Sequence, residues 1–149
     1  MVFSLSVEPS LGSQLDWRAP MTFANDNRTS DDAVLLAYTG LIETESLRML
    51  DDPTQDDYLA APASYYWQNP IRVIPRTIDD DAARSHLHDL VLEVAPTTSE
   101  IQLLSPAAEF SGDYAEVVSG ALDGEQWELR EQRPFEGLVV TIFDRVSGP

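Results

Sequence analysis

Apolar residues alternate at Phe3, Leu5 and Val7, but Pro9, Gly12 and Pro20 interrupt anything longer, and a polar run over 25–28 follows. Residues 1–29 therefore read as an N-terminal arm or edge segment. Trp17 and Phe23 are its apolar anchors, able to pin it to the chain's own body or to a neighbouring subunit.

The pattern changes at residue 29. Thr29 or Ser30 can cap a helix, and Asp31 and Asp32 fall in the first turn, where the helix dipole favours anions. Val34, Ala37 and Leu41, with Leu36, Leu47 and Leu50, keep an imperfect helical spacing, so one helix is expected near residues 30–50. Gly40 in its middle costs about 1 kcal/mol relative to alanine. That leaves a second reading, a buried strand over 33–39 and a short helix over 43–50.

Pro53, Pro62 and Pro70 bound a loop that carries three consecutive rings, Tyr65, Tyr66 and Trp67. Three adjacent rings cannot all enter one core. They join Trp17 and Phe23 as candidate interface residues, with the rim of the core as their alternative place.

Beyond residue 71 the chain reads as β. A short strand is expected over 71–74, and a turn or short helix over 77–85 behind Asp79, Asp80 and Asp81. A strand over 88–95 would place Leu90, Leu92 and Val94 on one face, with a returning strand from Ile101 and Leu103. Asp123-Gly124 predicts a two-residue hairpin turn within 116–131. That register lays the Trp127 ring across Gly120 and sets Glu116 opposite Glu131. After Pro134, residues 138–143 form a strand apolar on both faces, which belongs in the middle of a sheet or in an interface. The fold class expected is α+β, mainly antiparallel β, a sandwich or small barrel built of hairpins with one helix near residues 30–50. Residues 30–149 would make a single globular domain, β-rich from 71.

Composition narrows the function more than the fold. The 149 residues suit one domain. Twenty-six acids against nine bases leave a net charge of −17, and every base is an arginine. The absence of lysine removes P-loops, Schiff bases and kinase-type ATP sites, and the absence of cysteine removes disulfides, thiol nucleophiles and thiolate zinc sites. Such a charge repels nucleic acid and anionic membranes. Three origins fit it: adaptation to high salt, mimicry of a DNA phosphate array, or coding bias with a solvated acidic face. The clusters Asp31-Asp32, Asp51-Asp52, Asp56-Asp57 and Asp79-Asp80-Asp81 sit beside turns and helix starts, which favours surface solvation over mimicry. The N-terminus lacks the basic region of a signal peptide, and no apolar run approaches the roughly 18 residues of a membrane span. A cytoplasmic or particle-borne (virion) protein is expected.

Candidate chemistry is sparse. On a strand, His86 and His88 would share a face and could meet one metal beside Asp81 or Glu93. The acidic segment 51–57 contains Pro53 and no glycine, unlike a calcium loop. No G-x-S-x-G elbow, glycine-rich phosphate cradle or dinucleotide fingerprint is present. The expected function is a non-catalytic structural or assembly protein without a cofactor. It would work through protein partners by self-association or with neighbouring subunits, for example in a virus capsid, neck or tail. The alternative is an acidic DNA-mimic inhibitor of a basic nucleic-acid-binding protein, and the third reading is a small metal-dependent enzyme at His86 and His88.

Overall fold

A computed structural model describes residues 17–39, 50, 66–107, 113–122, 124 and 126–146. The alternating start at 3–7, all but the last residue of the helix expected over 43–50, the acidic segment 51–57, Tyr65 and Asp123 lie outside them.

Helix α1 (Arg18–Asp26) turns Pro20, Met21 and Ala24 inward and leaves its other face exposed. Pro20 is tolerated because first-turn amides have no intrahelical acceptor. Asn25 and Asn27 bond back to the Met21 and Phe23 carbonyls at 3.0 and 2.9 Å, and the helix stops there.

The expected helix near 30–50 is corrected over its first half, which is strand β1 (Val34–Ala37), buried along its whole length. This is the second reading of that segment. An unbroken apolar run fits a strand covered on both faces, and such a run has no period that separates it from a buried helix. β2 (Ile71–Val73) lies parallel to β1, as expected for a strand there, with Leu35 opposite Ile71.

Helix α2 (Asp81–Val94) replaces the strand expected over 88–95. Asp80 caps it, accepting from the Ala83 amide at 2.8 Å. Ala83, Leu87, Leu90, Val91 and Val94 form its buried stripe, whereas Leu92 is 50% exposed. The two-residue alternation of Leu90, Leu92 and Val94 was therefore a coincidence of a helical stripe with one outlying leucine. A 3-10 turn (Ala95–Thr97) leads into β3 (Glu100–Pro106), which is buried throughout. β3 runs parallel to β1, so the β2–α2–β3 connection is a crossover rather than a hairpin.

The hairpin expected around Asp123-Gly124 is also corrected. Residues Tyr114–Ala121 form helix α3, capped by Asp113, which accepts from the Glu116 amide at 3.1 Å. Gly120 lies on this helix with open space at its Cβ position rather than under the Trp127 ring, and Glu116 stands on the same helix rather than opposite Glu131. The hairpin occurs later, between β4 (Trp127–Pro134) and β5 (Leu138–Arg145). Gly137 turns it with φ 82°, a left-handed conformation suited to glycine.

The five strands make one open sheet in the order β2-β1-β3-β5-β4. Pairing is parallel across β2-β1-β3 and antiparallel over the longer β3, β5 and β4. The fold is α+β as expected, but the sheet does not close into a barrel, and the described residues supply no second sheet for a sandwich. α2 and α3 cover one face above Leu36, Ile101, Leu103 and Phe143. α1 and Trp67 cover the other above Leu35, Leu104, Val140 and Ile142. β5 lies inside the sheet, between β3 and the edge strand β4, and is apolar on both sides, as its sequence pattern requires. Among the described residues no helix is long and apolar enough to cross a membrane.

Candidate functional site

The polar residues at the start of β1 and β3 form a network that is buried at Glu100 and Gln102 and exposed at Asp32. Glu100 is 1% exposed and accepts from the Thr29 amide and hydroxyl at 2.8 and 2.9 Å and from the Ser30 amide at 3.0 Å. Gln102 donates to its second oxygen at 2.7 Å and is itself buried. Asp32 accepts from the Ser30 hydroxyl and from the Ser99 amide and hydroxyl, both at 3.1 Å. The Ser30 bond, followed in weight by an opposing burial penalty and then by the Ser99 bonds, holds its carboxyl below the ordinary value. These contacts clamp the 27–33 segment to the sheet. Every charged member has a partner, which marks the network as structural.

At the opposite edge of α1 the arrangement differs. The exposed side of α1 presents Arg18, Ala19, Thr22, Phe23 and Asp26 to the end of the β4–β5 hairpin, where Arg133 and Phe135 complete an open cavity of about 420 Å³. α1 is held in place because Met21 and Ala24 pack on the β5 face that carries Leu138, Val140 and Ile142. Arg133 pairs with Val140 in the sheet and projects from that same face. The Phe23 and Phe135 rings meet edge to face, with centroids 5.8 Å apart. The Arg133 guanidinium carbon sits 5.3 Å from the first centroid and 5.8 Å from the second.

Among the described residues Arg133 makes no hydrogen bond or ion pair. Other arginines are engaged: Arg72 with Glu93 at 2.7 Å, Arg84 with Asp81 at 3.0 Å, and Arg130 with Asp144 at 2.6 Å. Arg145 lies 4.7 Å from the Trp127 centroid and donates to the Thr98 carbonyl at 3.0 Å. Arg28 donates to the Ser30 carbonyl at 3.2 Å and lies over Trp67 at 5.9 Å.

The residues singled out in the sequence scatter around this cavity. Phe23 lines it, half-buried. Trp17 and Tyr66 are half-buried and pack against the core beneath α1, and the Tyr66 carbonyl accepts from Asn25 at 2.9 Å. Trp67 is 2% exposed inside that core, with no hydrogen-bond partner for its Nε1 among the described residues. Its ring fills the chain's own interior. His86 and His88 stand on α2, where two positions apart means about 200° around the axis, so their rings diverge. The shared strand face that would join them does not exist. Among the described residues no group of three histidine, aspartate or glutamate side chains is placed to hold a metal ion.

Arg18, Arg133 and Phe135 escaped the sequence reading. Arg133 looks like any polar residue of an edge strand, and Phe135 like part of a turn. Only the packing of α1 against the hairpin brings them together. Comparison of the chain with protein-family models, with curated proteins and with solved structures gave no match. The fold and cavity thus define an α+β protein with a cationic, aromatic pocket on an otherwise acidic body.

Proposed function

We propose that the chain is a non-catalytic assembly protein that acts through protein–protein contacts, with the α1–hairpin cavity as its docking point. The observation that carries this reading is Arg133. In a chain of net charge −17, its guanidinium rests against two phenylalanine rings and has no acidic partner among the described residues. Arginine is among the side chains that dominate contact energies between proteins, and phenylalanine is enriched at their interfaces. The partner we favour is a second copy, because the chain carries acids in abundance to meet Arg133.

Size exclusion with light scattering from about 0.1 M to 3 M salt tests the reading, since mutual repulsion is screened progressively over that range. A defined oligomer should form as salt rises, and Arg133→Glu should shift it towards monomer. A wild-type monomer at every salt concentration overturns self-association. Tight binding of a basic protein that weakens with salt would support the DNA-mimic alternative instead.

A further inference from the structure

We infer that the α1–hairpin cavity binds a carboxylate carried on an apolar group, with Arg133 receiving the anion and Phe23 and Phe135 receiving the apolar body. The inference rests on reading the cavity as the docking point. Contact with aromatic rings holds a guanidinium by its charge and does not use up the N–H fork that an oxygen acceptor would take. Arg133 meets both rings, and no hydrogen bond or ion pair occupies that fork among the described residues. A carboxylate matches the fork in two parallel charge-assisted bonds. Arg18 lines the same cavity and adds positive potential. The volume, about 420 Å³, accommodates one large side chain and its carboxylate.

Charge decides between carboxylate and phosphate. Asp26 stands on the cavity wall and the chain carries −17 overall, so a dianion meets about twice the repulsion of a monoanion. The rings also select against a small, fully hydrated anion such as acetate, which has nothing to lay on them. Thr22 supplies a hydroxyl at the rim. The ligand chemistry is that of an acidic side chain beside an apolar one, as a second copy of this acid-rich chain would present.

N-acetylphenylalanine, its uncharged amide and benzyl phosphate separate these possibilities when titrated into the full chain by NMR. The acid should bind in the millimolar range, shifting the amides of Thr22, Phe23 and Arg133, with the amide roughly tenfold weaker. Arg133→Gln, an exposed substitution, should abolish the preference for the acid while the circular dichroism spectrum stays unchanged. Phe135→Leu should weaken acid and amide alike. Equal binding of acid and amide, tighter binding of benzyl phosphate, or no saturable shifts at these residues each overturns the inference. If the acid fails yet Arg133→Glu still dissociates an oligomer, this inference falls alone. If the acid binds while the chain stays monomeric in all salt, self-association falls and the ligand chemistry stands.

Discussion

Arg130 grips Asp144 with two bonds, Nε to Oδ2 at 2.6 Å and a terminal nitrogen to Oδ1 at 3.2 Å. Glu100 lies 3.4 Å from the same guanidinium and directly opposite Asp144 in the β3–β5 ladder. Two acids paired across a sheet repel each other. The arginine that neutralises them comes from a bulge: Leu129 pairs with Phe143 and Glu131 with Ile142, leaving Arg130 as the extra residue of β4. A bulge of this kind re-aims a side chain. Here it also lets Arg130 donate to the Asn27 carbonyl at 2.8 Å, tying the end of α1 to the sheet.

Removing that arginine should leave Glu100 buried without its positive neighbour, held only by its hydrogen bonds to Thr29, Ser30 and Gln102. Arg130→Met is expected to lower stability by about 3 kcal/mol, the usual scale for breaking a buried ion pair. Urea unfolding measures it. Adding Glu100→Gln should cost less in the Arg130→Met background than alone, because the two acids then no longer face each other unshielded. A loss under about 0.5 kcal/mol for Arg130→Met would make the cluster a surface ornament.

Asp32 should make stability depend on pH at the acid end. Its carboxyl titrates below the ordinary value of 3.8 in the folded chain, chiefly through the Ser30 hydroxyl. A carboxylate with a depressed folded pKa contributes stability above its unfolded value, and that contribution disappears as pH falls through the folded one. Wild type should therefore lose more of its urea midpoint than Asp32→Asn between about pH 5 and pH 2.5. Parallel curves for the two proteins would show that the bonds to Ser30 and Ser99 contribute nothing.

Trp67→Ala should unfold or strongly destabilise the monomer. A fully buried aromatic truncated to alanine typically costs about 3–5 kcal/mol, and Trp67 is 2% exposed. Trp67→Phe should be markedly milder, since the indole nitrogen it removes has no hydrogen-bond partner among the described residues. Thermal melts decide this. A Trp67→Ala protein that keeps its melting temperature would place the ring at a surface after all.

Two glycines should respond in opposite directions to alanine. Gly137→Ala forces a side chain into φ 82° and should cost about 1 kcal/mol. Gly120→Ala sits on α3 with open space at its Cβ and should gain a few tenths of a kcal/mol up to about 1 from helix propensity. If Gly120→Ala instead destabilises by more than about 1 kcal/mol, residues 114–121 are not helical in solution.

Local chemistry was legible where one element's needs stood in its own residues. The doubly apolar run after Pro134 announced the interior strand β5, Ile71 to Val73 announced β2, and the Asp79–Asp81 triplet announced a helix start that the Asp80 cap confirms. Where two periods fitted the same letters, the sequence left the choice open. β1 is apolar at every position, so helix and buried strand predict the same composition, and Leu92 lent α2 a false alternation. Asp123-Gly124 signalled a turn without saying whether a strand or a helix preceded it.

By itself the sequence determined the charge, the missing lysine and cysteine chemistries, and the apolar segments that had to be buried. Tertiary structure alone decided which of those segments lie side by side. Glu100 meets Arg130 and Phe23 meets Arg133 across separations of 30 and 110 residues in the chain. No local propensity encodes such meetings. The first follows from β5 lying between β3 and the bulged β4, the second from α1 burying Met21 and Ala24 on one face of that sheet.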